Sequence, residues 1–222
     1  MNPSVYPKLP YDTVRDFAPV IQATSQPQVL VVHPSVAVRS VKEFVALARS
    51  KSGQLNYSSP GDGTMSQLAF ELFKSAAAVD IQQIPYKGAG LSMTAVVGGE
   101  AQASSASAVS ELPHVSSGRL RALASTGPRR SPALPDVPTM AEQGLPAATI
   151  TGWYAFLAPK GTPKAVVVRL NGELTRILQT PEMREQLARE GSEPAIGTPE
   201  QLGKHIASEV ERLGRLVKAR RH

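Results

Sequence analysis

Residues 56–73 read NYSSPGDGTMSQLAFELF. The run Leu55-Asn56-Tyr57-Ser58 has strand character, Ser-Pro-Gly-Asp-Gly interrupts it, and apolar residues then recur with helical spacing at Leu68, Leu72 and Phe73. Thr64-x-x-Gln67 is a capping-box pattern, which predicts Thr64 as the N-cap of that helix. Strand, tight turn and helix together are the basic step of an α/β chain. The pattern predicts unpaired backbone N–H groups from Gly63 to Ser66, where the helix dipole also favours negative charge, with Ser58 and Ser59 as further hydroxyl donors. The turn has no lysine of the P-loop kind, and Ser66 stands where a dinucleotide fingerprint needs its third glycine, so a carboxylate suits it better than a nucleotide phosphate. Taken alone, the turn also admits a second reading, in which its glycines serve only backbone geometry.

A similar step follows downstream. Residues 81–86 read as a strand, Lys87-Gly88-Ala89-Gly90 as a turn, and 90–97 as a helix, which aims a second helix N-terminus at the same sheet edge. The alternation extends in both directions. Strands are predicted at 17–22 and 28–33, a helix opening with Ser40-x-x-Glu43, a small-residue strand at 100–106, a short helix near 110–116 and a strand at 119–125. Pro138 is expected to start a short helix ending near Gly144, and TGWYAFLAP (151–159) reads as a strand. Beyond it the pattern is helical, with Thr N-caps and Pro at the first position in Thr162-Pro163, Thr180-Pro181 and Thr198-Pro199. The last helix carries an apolar stripe of Leu202, Ile206, Val210, Leu213 and Val217. The region from about 35 to 150 therefore reads as a self-sufficient βα domain, and both ends of the chain as parts of a second lobe.

Composition narrows the function. At 222 residues and 41% hydrophobic, the chain can bury a core, and its apolar runs, such as Val29-Leu30-Val31-Val32, are far shorter than a membrane helix. The opening MNPSVYPKLPYD has no apolar h-region, so no secretory signal is expected in it, which leaves a cytoplasmic chain or an export signal lost upstream. No cysteine is present, which excludes disulfides, thiolate metal sites and cysteine nucleophiles. A net charge of +6 raises nucleic acid as a partner, but aromatics are only 5% and do not interleave with the basic clusters at Arg129-Arg130 and in the tail, so no nucleic-acid partner is expected. His33, His114, His205 and His222 lie in different segments without metal spacing; His205 is expected on a helix surface. No G-x-S-x-G elbow frames a serine, and Ser104-Ser105-Ala106-Ser107 reads as a strand end bordering the cleft. Trp153 and Tyr154 read as core. No cofactor, metal or catalytic residue is expected, and an enzyme is the least favoured reading.

Taken in order, NPSVYPKLPYDTVRDFAPV, LNYSSPGDGTMSQLAFELFK, IPYKGAG, GRLRALASTGPRRSPALPDVPTMAEQGLP and the tail from GTPKAVVVRLNGEL resemble the Bug family, the periplasmic receptors of tripartite tricarboxylate transporters. The resemblance runs from Asn2 to the C-terminus. It implies a two-lobed α/β flytrap of the type II periplasmic-binding-protein class, a small carboxylate ligand, membrane transporter subunits as partners and a periplasmic location. The family's anion-holding turn falls on Ser58, Ser59, Gly61, Gly63, Thr64 and Met65, its Tyr-Lys-Gly turn on Tyr86, Lys87 and Gly88, and its pocket-defining strand end on Ala106 and Ser107. Family members usually have His at the position of Gln67 and Asp at that of Ala106; without that Asp, a plain carboxylate is expected rather than an amino acid. The family's signal peptide and Pro-Gly-Gly loop have no counterpart in this sequence. The resemblance thus implies a complete second lobe at 34–153, an incomplete first lobe from 1–33 and 154–222, weakened binding, and self-association through the incomplete lobe. A cytoplasmic ligand-sensing module of the same fold is the alternative.

Overall fold

The computed structural model describes residues 8–219, with side-chain surroundings given through Arg215. Asn2 to Pro7 of the first motif and the side chain of Val217 lie outside this range. Two units form. The larger comprises Gln26–Gly152 with Ala188–Ser192; the smaller comprises the chain up to Ser25, Trp153–Leu187, and the chain from Glu193 on.

The first strand, β1 (Phe17–Val32), contributes its second half to the larger unit. There it joins β2 (Asn56–Ser59), β3 (Gln82–Pro85), β4 (Ala103–Ser107) and β5 (Arg121–Ser125) in the order β3-β2-β4-β1-β5. β2 runs parallel to β3 and β4, whereas β1 runs antiparallel to β4 and β5. Hence β2, β3, β4 and β5 all point one way, and their carboxyl ends share one edge. Strands running the same way need helical crossovers, supplied by α2 (Met65–Ala77), α3 (Ala89–Val97) and α4 (Ala108–Ser116), while α1 (Val41–Ser50) joins β1 to β2.

The run Val29-Leu30-Val31-Val32 is apolar throughout because both sheet faces are covered. Leu30 and Val32 join Phe44, Tyr57, Phe70 and Phe73 on one side, and Val29 and Val31 join Val96, Ala108 and Leu120 on the other. Tyr57 of β2 and Phe70 of α2 stack at 3.9 Å between centroids and 4° between planes, and Phe73 meets Phe70 edge-on at 5.6 Å. The segment Ala188–Ser192 enters this unit through Gly191, whose φ of +64° already favours glycine and whose Cβ would overlap that of Ala108.

Glu111 is fully buried under α4, against an otherwise apolar side of the sheet. Burial pushes its carboxyl up to about 8, and the nearby Ser104 hydroxyl opposes this slightly. Neither carboxyl oxygen makes a hydrogen bond of ordinary geometry among the described residues, so burial governs and the group is neutral at pH 7.

In the smaller unit, Val20 and Ile21 of β1 pack with Ala158 of β6 (Thr151–Pro159), Val167 and Leu178 of α5 (Lys164–Leu178) and Leu187 of α6 (Pro181–Arg189). The strand β7 (Glu193–Pro194) pairs with Thr24 and Ser25, and α7 (Pro199–Ala219) buries Leu202, Ile206 and Leu213 of the predicted stripe. Asn171 anchors α5 by donating to the carbonyls of Val20 and Gly197, both at 2.9 Å.

Several sequence expectations are corrected. The strands expected at 17–22 and 28–33 are one strand, because Thr24 and Ser25 have β7 as partner and Pro27, which lacks an N–H, falls between that ladder and the β4 ladder beginning at Gln28. The helix expected from Pro138 is a hydrogen-bonded turn: Thr139 and Glu142 cap each other, and Gly144 at φ +81° ends it. Thr180 and Thr198 cap their helices, but Thr162 donates to the Pro159 carbonyl and Pro163 takes the N-cap position of α5. Tyr154 is 65% exposed rather than core; on its side of β6 the apolar cover given by Val167, Leu178 and Leu187 is on Ala158. His205 is half-buried, its ring 5.0 Å from that of Trp153, rather than a free surface residue.

Phe70→Ala removes both ring contacts from a site that cannot collapse, and the expected loss of about 3–5 kcal/mol is read from the urea unfolding midpoint. Glu111 binds its proton more tightly folded than unfolded, so its contribution to stability is full below its ordinary value of 4.5 and is lost as pH rises towards about 8. Unfolding of the parent should therefore become easier by about 1.4 kcal/mol per pH unit across that window, and Glu111→Gln should abolish this slope.

Candidate functional site

The carboxyl ends of β2 and β3 lead into the two turns singled out in the sequence, and both lie within the larger unit. After Ser59 the chain passes Gly61 at φ +120° and Gly63 at φ +74°, conformations that side chains resist. Thr64 then caps α2, accepting the Gln67 N–H at 3.3 Å and donating to the Gly61 carbonyl at 2.9 Å. The second turn is zipped to the first: Tyr86 N–H donates to the Ser59 carbonyl at 2.8 Å and Gly88 N–H to that of Pro60 at 3.2 Å. Gly88, at φ +109°, is the N-cap of α3 and offers no side-chain cap. Two helix N-termini are thus held side by side at one sheet edge.

The predicted residues take different roles in this arrangement. The N–H groups of Thr64, Met65 and Ser66 at α2, and of Ala89 and Gly90 at α3, have no hydrogen-bond partner among the described residues. Gly63 departs from the expectation of a free donor. Its N–H is taken by the Gln67 side chain at 2.8 Å, because that side chain reaches past the N-cap instead of closing the capping box on Thr64. Ser59 is fully buried and its Oγ accepts from Gly61 N–H and from Gln83 Nε2, while Ser58 Oγ is buried with no partner among the described residues. Lys87 is exposed at the second turn. Tyr86 donates its hydroxyl to Glu100 at 3.3 Å; burial, then the Glu100 charge, raises its pKa.

Ala106 and Ser107, half-buried at the end of β4, stand opposite Val29 and Gln28 of β1. The Ser107 and Ser110 hydroxyls lie 3.1 Å apart at the start of α4. The structure also brings in residues that the sequence reading passed over. Gln28 is only 4% exposed; its N–H donates to Thr126 Oγ1 at 2.9 Å, and its side-chain oxygen lies 3.4 Å from Ser66 Oγ. A glutamine directly before a four-residue apolar strand core was the available signal. Asp62 and Gln83 join the first turn through side-chain bonds that sequence spacing does not reveal.

A groove elsewhere in the unit, lined by Val36, Val38, Glu43, Leu47, Lys51 and Gln102, lies where β2 and β4 begin and so is distinct from these turns. Among the described residues no cluster of His, Asp and Glu could hold a metal ion, and no helix is long and apolar enough to cross a membrane. What the turns offer chemically is paired N–H donors, helix dipoles and one cation, a setting for an anionic oxygen acceptor.

Comparison with known proteins agrees with the motifs. Residues 1–221 match the model of the tripartite tricarboxylate transporter family receptor. A Pseudomonas sp. strain P51 protein from the tcbD-tcbE intergenic region is 38% identical over 96% of this chain and 63% of its own length. BugT of Bordetella pertussis is 35% identical over 97% of this chain and 66% of its own, so this chain spans just under two thirds of both relatives. Among solved structures, Rpa4515 of Rhodopseudomonas palustris with adipate has a TM-score of 0.90 at 32% identity, covering 98% of this chain and 73% of that one. MatC from the same organism, with bound malate, has a TM-score of 0.84 at 29% identity, covering 97% and 74%. The likeness bears out the α/β periplasmic-binding-protein fold and the Bug resemblance. On the match across residues 1–221, the chain belongs to the tripartite tricarboxylate transporter receptor family.

Proposed function

We propose that this protein is a periplasmic solute receptor that captures a small carboxylate and presents it to the membrane subunits of a tripartite tricarboxylate-type transporter. The observation that carries this reading is the pair of adjacent helix N-termini, at Thr64–Ser66 and Ala89–Gly90, whose N–H groups are left unbonded at the end of the parallel strands. One ligand carboxylate sits there, with Lys87 supplying charge and Ala106 and Ser107 bounding the strand end. Relatives of the same fold hold adipate and malate, which supports a carboxylate rather than a phosphate. No chemical step is assigned to the protein, since capture and release change no bond. Ala106 leaves no acid to pair with an ammonium group, so dicarboxylates are favoured over amino acids.

Calorimetric titration of the chain with adipate, malate, citrate and aspartate tests this. One of the non-amino acids should bind saturably, aspartate should bind more weakly, and Lys87→Ala should weaken the preferred ligand by about threefold to tenfold, an effect that shrinks in high salt. No saturable binding of any of the four, or binding indifferent to Lys87 and to salt, would contradict the proposal.

A further inference from the structure

The first turn has to be held in shape. It contains two glycines at positive φ, Gly61 and Gly63, and ordering glycine costs more backbone conformational entropy than ordering any other residue. Its order depends on one side chain. Gln67 is 9% exposed and uses every hydrogen-bonding group of its amide. Its Oε1 accepts from Gly63 N–H at 2.8 Å, and its Nε2 donates to Asp62 Oδ1 at 3.0 Å and to Gln83 Oε1 at 2.9 Å. Gln83 carries the linkage onward, donating from its own Nε2 to Ser59 Oγ at 2.8 Å and to Asp62 Oδ1 at 3.0 Å.

The end of β2, the turn, the first turn of α2 and the neighbouring β3 are thereby joined in one side-chain network. The amide orientation is also determined, since the reverse would set an NH2 against the Gly63 N–H and an oxygen against Asp62. Because Gln67 reaches Gly63 rather than Thr64, the Thr64 N–H stays available beside those of Met65 and Ser66. Resting on the carboxylate reading above, we infer that Gln67 is the positioning residue of that site. It touches no ligand but presets the donors at the start of α2, so that binding does not have to order the turn. The role needs one acceptor and two donor hydrogens on a short flexible stem, which glutamine has and neither glutamate nor leucine has.

The test uses the full chain with adipate as probe and two variants. Gln67→Leu keeps the volume and helix preference but removes all three bonds; Gln67→Glu keeps the acceptor and, at pH 7.5, sets a second carboxylate against Asp62. Amide hydrogen exchange of the ligand-free protein should be slow at Gly63 in the parent and at least tenfold faster in Gln67→Leu, with the α2 interior unchanged. Adipate affinity should fall about tenfold in both variants at pH 7.5, and the parent-to-Gln67→Glu ratio should shrink near pH 5, where the glutamate regains a donor proton. Unchanged Gly63 exchange in Gln67→Leu would overturn the inference. So would faster exchange with adipate affinity equal to the parent's, or a Gln67→Glu deficit that does not depend on pH. Failure of the parent itself to bind any carboxylate would overturn the receptor reading instead, and the Gly63 exchange would then judge the network by itself.

Discussion

The stack of Tyr57 on Phe70 is the contact on which the site depends. It joins the middle of β2 to the middle of α2, with both rings fully buried and Phe73 and Phe44 packed behind them. Strand and helix therefore cannot shift against each other, and the chain between them has to cross a fixed gap. Two glycines at positive φ make that crossing, and the second turn is hydrogen-bonded onto the first. A parallel sheet does the rest: every strand must be followed by a crossover, so the turns after β2 and β3 arrive at the same edge. Packing sets where the donors are, and the backbone supplies them.

Electrostatically the site has little full charge of its own. On the proposed reading, its attraction for anions would come from unpaired N–H groups and two helix dipoles, with Lys87 at the second turn as a cation. Asp62 stands at the turn, yet its Oδ1 already accepts two amide hydrogens, from Gln67 and Gln83. Burial outweighs the nearby Ser104 hydroxyl at Glu111 and favours its protonated form at neutral pH, so it adds little negative potential to the interior of the unit. On the proposed reading, such a site would recognise the carboxylate group itself, and discrimination among carboxylates would fall to neighbouring side chains such as Gln28, Ala106 and Ser107.

Much of the larger unit was legible from local pattern. The spacing of Leu68, Leu72 and Phe73, the Thr64 cap and the alternation of short apolar runs with helical ones identify each crossover to within a few residues. What escaped depends on partners distant in sequence. The continuity of β1 through Pro27 is set by residues 193–194, and Gln67 reaching Gly63 instead of Thr64 follows from where Gln83 stands on the adjoining strand. Tyr154 reads as core by composition, but its exposure is decided by which layers cover β6. The strand-turn-helix geometry was recognisable, whereas the count of donors actually left unbonded was not, since that requires every hydrogen bond around the turn.

The most direct test of the account is to map backbone amide shifts of the isotope-labelled chain during titration with adipate. Saturable changes should concentrate at Thr64, Met65, Ser66, Ala89 and Gly90, with Gly63 little altered because its N–H is already bonded. Changes gathered instead at the groove beside α1, around Val36, Leu47 and Gln102, with both turns silent, would contradict it.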